Sequence, residues 1–181
     1  MNAFVLNIIR FALIIAFQVV VFNDHMLKSS TVLNNLSLFK PFVYILFILM
    51  LPTNINKILL LACSLIAGIA VDLFGNTYGL HACAALLLGF ARPLLIKAFT
   101  NVLPKDTKKS ITPSLSFMGF VPFISYVGSA TIIFCLYYYL LAEFMVKPGA
   151  HYLLNVFFSS LLTIILLLLS QVFFISAGRR R

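Results

Sequence analysis

Acid–base chemistry has little material in this chain: the acids are Asp24, Asp72, Asp106 and Glu143, and the histidines are His25, His81 and His151. Asp72 and His81 flank the stretch LFGNTYGL, a spacing that would let a carboxylate and an imidazole meet across a tight turn, as a proton relay or a ligand pair would require. Asp24 and His25 are adjacent, but no third partner accompanies them. No two acids share an apolar run, so an acid pair for general acid–base work has no place. An intramembrane aspartyl protease would need two deep aspartates. No G-x-S-x-G, H-E-x-x-H, Walker or G-x-G-x-x-G pattern occurs. Cys63, Cys83 and Cys135 form no C-x-x-C pair and have no histidine at metal-ligand spacing. They read as small, buried packing residues. No catalytic, metal-binding or cofactor-binding residues are therefore expected, and an enzyme is the least supported class.

The elements that carry these residues follow from composition. The chain has 181 residues, 62% of them hydrophobic and 9% charged, with a mean hydropathy of +1.10. A soluble domain carries about 25% charged residues. A globule of this length cannot hide so much apolar side chain from water, so the bilayer is the solvent for most of it. The reading is an all-α polytopic membrane protein, one transmembrane domain spanning 1–181. The net charge of +9 would suit nucleic acid in a soluble protein. Here the cations fall between apolar runs, where they set orientation and meet anionic phospholipid, while the aromatics lie inside the runs. Nucleic acid is excluded as a partner.

Six apolar segments are expected, at about 4–22, 39–52, 58–74, 80–99, 117–142 and 152–175. The first lacks a basic n-region and a small-x-small site, so it reads as a retained helix rather than a cleaved signal. The second has an apolar core from Pro41 to Leu51, too short to span untilted; it reads as a short or partly re-entrant helix between Pro41 and Pro52. GNTYG (75–79) is a turn by residue type, and Arg92–Pro93 marks a kink in the fourth segment. With the N-terminus cytoplasmic, nine basic residues face inside (Lys57, Arg92, Lys97, Lys105, Lys108, Lys109 and Arg179 to Arg181). Lys28, Lys40 and Lys147 face outside. That bias places both termini in the cytoplasm. Small residues in ACSLIAG and HACAA sit where two helices would approach closely.

A charge at mid-helix costs about 2.5–3.5 kcal/mol on insertion scales, and less near the interfaces. Asp72 and His81 are both shallow and on one level. An Asp72–His81 hydrogen bond, or either side chain capping the turn's backbone, satisfies them. A proton relay and a partner-docking role are the competing readings. Arg92 and Arg10 lie about two turns from the cytoplasmic side and reach it by snorkelling to lipid phosphate, with a partner contact as the alternative.

The ordered set P…ILLLACSLIAGIAVDLFGNTYGLHACAALLLGFARP resembles the rod-shape-determining MreD family. Gly68, Asp72, Gly79, Leu80, His81, Ala82, Arg92 and Pro93 carry the match. The wording DLFGNTYGLHA and the later PSLSFMGF (113–120) look most like members from Bacteroidetes-type bacteria. The resemblance implies a scaffold of the cell-wall elongation machinery in the bacterial inner membrane. It would bind the bitopic protein MreC and link MreB filaments to the peptidoglycan synthases. It also implies a fold similar to the S-components of energy-coupling-factor transporters, and it brings no catalytic residue or cofactor. Gly68, Asp72, Gly79, His81, Arg92 and Pro93 are then structural or interaction residues. The alternative is a solute-binding transporter subunit of that same fold, which would need a closed pocket with several convergent polar groups.

Overall fold

The structure, a computed structural model, describes residues 40–99, 112–146 and 152–178. Among them the chain is helical, without strands. The elements are α1 (Ile45–Leu49), α2 (Lys57–Gly75), α3 (Leu80–Phe99), α4 (Leu115–Met118), α5 (Phe120–Val146) and α6 (Tyr152–Gly178). Four helices among the described residues are long and apolar enough to cross a membrane: α2, α3, and the stretches Phe120–Phe144 of α5 and Tyr152–Gln171 of α6. The expected first segment (4–22), with Arg10, Asp24 and His25, lies outside the described residues, and so do Asp106 and His151.

The boundaries follow local chemistry. Asn56 caps α2, its side chain accepting from the Ile58 N–H at 3.2 Å, as a short polar residue does at a helix N-terminus. Asn76 closes α2 in the left-handed region, at φ 50° and ψ 44°, a conformation asparagine tolerates better than most residues. The fifth expected segment is split. Gly119, at φ 81°, separates α4 from α5, because a residue there must adopt positive φ. Pro93 does not end its helix: α3 runs through it from Leu80 to Phe99.

The long helices pack as a row, α2 against α3, α3 against α5 and α5 against α6. In lipid no hydrophobic force drives helices together, so close approach and hydrogen bonding must do it. The α2–α3 contact is a close approach. A Cβ built on Gly68 would lie 2.4 Å from the Ala82 Cα, and one on Gly89 would lie 2.5 Å from the Ser64 Oγ.

The second apolar segment is the centre of the fold. Its helical part, α1, has five residues and rises only about 7.5 Å, far short of a ~30 Å hydrocarbon core. Phe42, Tyr44, Ile45, Ile48 and Leu49 are nonetheless fully buried, with Phe123, Tyr126, Phe134, Leu88 and Leu167 around them. Phe42 sits 5.1 Å from Phe134 and 4.8 Å from Tyr138, ring centre to ring centre.

Candidate functional site

The polar side chains within the membrane-spanning part form two constellations, one at the α2–α3 corner and one along the broken segment.

At the corner, the Asp72 carboxylate serves as a cap for the next helix. Its Oδ1 accepts from the His81 N–H at 3.1 Å, and its Oδ2 accepts from the Ala82 N–H at 2.8 Å. The Thr77 hydroxyl also donates to Oδ1. These N–H groups open α3, where four donors lack intrahelical partners and a negative charge meets the positive end of the helix dipole. The Asp72 backbone carbonyl meanwhile accepts from the Thr77 N–H at 3.4 Å. One residue thus closes α2, folds the turn and starts α3. Of the arrangements open to the sequence, backbone capping by Asp72 is the one formed. The turn itself is tight: Asn76, Tyr78 and Gly79 have φ of 50°, 46° and 87°. Positive φ is costly for a side chain as bulky as tyrosine, and Tyr78 is held there while 89% exposed.

The His81 imidazole turns toward the broken segment. Its Nδ1 lies 3.2 Å from the Tyr44 hydroxyl, and its ring packs 5.6 Å from Phe42 and 4.7 Å from Tyr138. Asp72 and His81 are therefore brought together through the His81 backbone, while the His81 imidazole serves the segment.

Arg92 corrects the sequence expectation. Snorkelling would leave its guanidinium among headgroups; instead Arg92 is 1% exposed. Its Nη2 donates to the Leu49 carbonyl at 3.4 Å and to the Leu51 carbonyl. The Tyr126 hydroxyl donates to the same Leu49 carbonyl at 3.2 Å. The reason is α1: a helix that stops among buried apolar side chains, ahead of a proline that has no N–H, leaves carbonyls that those neighbours cannot satisfy. Arg92 is drawn inward to them.

The rest of the segment is held in the same manner. Ser159 accepts from the Lys40 N–H at 3.2 Å, Thr163 accepts from the Phe42 N–H at 3.1 Å, and Gln171 donates to the Met50 sulfur at 3.2 Å. Tyr139 bonds Ser159 at 2.6 Å. From Ser159 to Gln171 along α6, and from His81 to Arg92 along α3, is roughly 17 Å at 1.5 Å per residue. The segment descends that far between three helices. Non-helical backbone at this depth is tolerated only when protein satisfies it, and side chains of α3, α5 and α6 do so.

Tyr44, Tyr126, Ser159, Thr163 and Gln171 were not singled out from sequence. Ser159 and Thr163 at i and i+4, with Gln171 two turns on, trace one stripe of α6, and that spacing was the available signal. Cys135 is buried as expected and Cys63 partly so, whereas Cys83 is exposed on the outer surface of α3. Burial fails there because α3 turns its inner face, with His81, Ala84 and Ala85, toward the core. Among the described residues no three His, Cys, Asp or Glu side chains are grouped to hold a metal. No protein-family profile, no curated protein and no solved structure matches this chain.

Proposed function

We propose that the chain is an MreD-like scaffold, a non-catalytic inner-membrane subunit that binds MreC. Through MreC it would hold MreB filaments and the peptidoglycan synthases together during wall elongation. The observation that carries this reading is the employment of the polar residues. Asp72, His81 and Arg92, the three charged or titratable members of the resembling motif, are buried to 9%, 7% and 1% exposure and bond the chain's own backbone or Tyr44. Groups spent on holding the fold are not poised to turn over a substrate. They suit a rigid body whose task is to present apolar helix faces to other membrane proteins.

In this reading the stretch 4–22 is a further crossing and 39–52 a short one. The six-segment plan is then similar to that of the energy-coupling-factor S-components. The nine-to-three bias of basic residues supports cytoplasmic termini.

The test is affinity isolation from detergent-solubilised native membranes, with co-purifying proteins identified by mass spectrometry. The expected result is a bitopic MreC-type protein together with wall synthases. Recovery instead of transporter ATPases with a bound small molecule would sink the scaffold and leave the solute-binding subunit.

A further inference from the structure

We infer that the carbonyl oxygens of Leu49 and Leu51, with the Tyr126 hydroxyl beside them, form a cation site selective for a guanidinium group, which Arg92 occupies as a tethered ligand. The site is independent of the scaffold reading.

The geometry is that of cation coordination by a broken helix. Where a helix unwinds inside a membrane, its terminal carbonyls concentrate partial negative charge in a medium that cannot solvate them, and such ends coordinate cations. Here α1 stops at Leu49 and Pro52 prevents its continuation. The Leu49 carbonyl accepts from both Tyr126 and Arg92, and the Leu51 carbonyl accepts from Arg92. The guanidinium is 1% exposed.

No carboxylate neutralises it among the described residues. Asp72 caps the backbone at His81, which lies roughly 17 Å from Arg92 along α3. Glu143 is farther still, roughly 25 Å along α5 from Tyr126. Among the described residues, the groups that meet the charge are therefore dipoles. The Arg92 Nε has no hydrogen-bond acceptor, and it is the terminal Nη2 that the site engages.

That arrangement favours guanidinium over other cations. A single guanidinium nitrogen, Nη2, reaches both carbonyls, and this weakly hydrated group loses less hydration on burial than an ammonium does. Sodium or potassium would need more oxygens than the two carbonyls and one hydroxyl provide.

The experiment is chemical rescue on the full-length chain. Arg92→Ala vacates the carbonyls, and the purified variant is melted in detergent against increasing methylguanidinium chloride. Sodium chloride and methylammonium chloride at equal ionic strength are the controls. The expected result is a saturable recovery of most of the lost melting temperature with methylguanidinium alone. Equal recovery with sodium or methylammonium would overturn the guanidinium selectivity, and no recovery with any cation would overturn the site. Should Arg92→Ala not fold, Arg92→Met serves, since it keeps much of the side-chain volume and brings no donor to the carbonyls. A rise in its melting temperature specific to methylguanidinium supports the proposal, and an unchanged value overturns it.

Discussion

Gly68→Ala adds one methyl group at the point where α2 and α3 are closest. Its Cβ would lie 2.4 Å from the Ala82 Cα, 2.6 Å from the His81 carbonyl oxygen and 2.7 Å from the Ala82 nitrogen. Carbon atoms rest at about 3.5–4.0 Å, and all three neighbours are backbone, so none can rotate away. The helices must part by about 1 Å to reach ordinary contact. The same displacement stretches the bonds from His81 and Ala82 to Asp72, now 3.1 and 2.8 Å, to or beyond the range in which hydrogen bonds hold. Overpacking costs typically 1–3 kcal/mol, and stranding a buried donor costs ~1–3 kcal/mol more. A loss of about 2–6 kcal/mol follows, or roughly 5–25 °C in melting temperature for a chain of this size. The assay is thermal denaturation in detergent, read by far-ultraviolet circular dichroism and by size-exclusion recovery. Gly128→Ala is the paired control. Its new Cβ would meet only the Ile164 Cδ1 at 4.0 Å, so it should melt at or slightly above the parent, because alanine favours helix over glycine. If Gly68→Ala melts with Gly128→Ala, the close α2–α3 approach is refuted.

Further substitutions separate the two constellations. Asp72→Ala should cost about 1–3 kcal/mol by leaving the α3 N–H groups without an acceptor, whereas Asp72→Asn, which keeps one oxygen, should lose clearly less; equal losses in a thermal melt would contradict capping. Arg92→Leu should reduce folded yield sharply, since it strands the carbonyls of Leu49 and Leu51; normal yield and stability would restore the snorkelling picture. Ser159→Ala and Thr163→Val each remove one acceptor from the broken segment and should each lower the melting temperature. Because both hold one segment, the double variant should lose a different amount from the sum, which a double-mutant cycle reads directly. Gly89→Ala should cost less than Gly68→Ala, because the clashing group is the Ser64 hydroxyl, a side chain; adding Ser64→Ala should recover part of the loss.

Much of the fold was legible because it depends on solvent and on local signals. Composition required a bilayer, and the limits of the third, fourth and sixth apolar runs agree with α2, α3 and α6 to within about three residues. The corner was legible too, since a glycine-rich turn flanked by an acid has few ways to satisfy that acid. Arg92 was not. Its distance from the helix end is compatible with snorkelling, and only the arrival of the Leu49 and Leu51 carbonyls decides against it. Those carbonyls belong to residues more than forty positions away in sequence. Ser159 and Thr163 were overlooked for a related reason: a hydroxyl in an apolar helix can bond its own helix, as the Thr163 hydroxyl does with the Ser159 carbonyl at 2.6 Å. Nothing in the one-dimensional pattern says that it will also receive a donor from a distant segment.

The broken segment has a consequence for how the protein is made. Its bonds to Ser159, Thr163 and Gln171 join residues 119 to 121 positions apart, so the last helix must be synthesised before the second segment has its full set of partners. Until then its unpaired backbone groups have no stable home in lipid. During synthesis the segment must wait as a transient helix, at the membrane surface, or sheltered by the insertion machinery. Assembly therefore cannot proceed helix by helix in chain order. It ends with closure around residue 42, and a chain truncated before α6 would enter the membrane yet lack its centre.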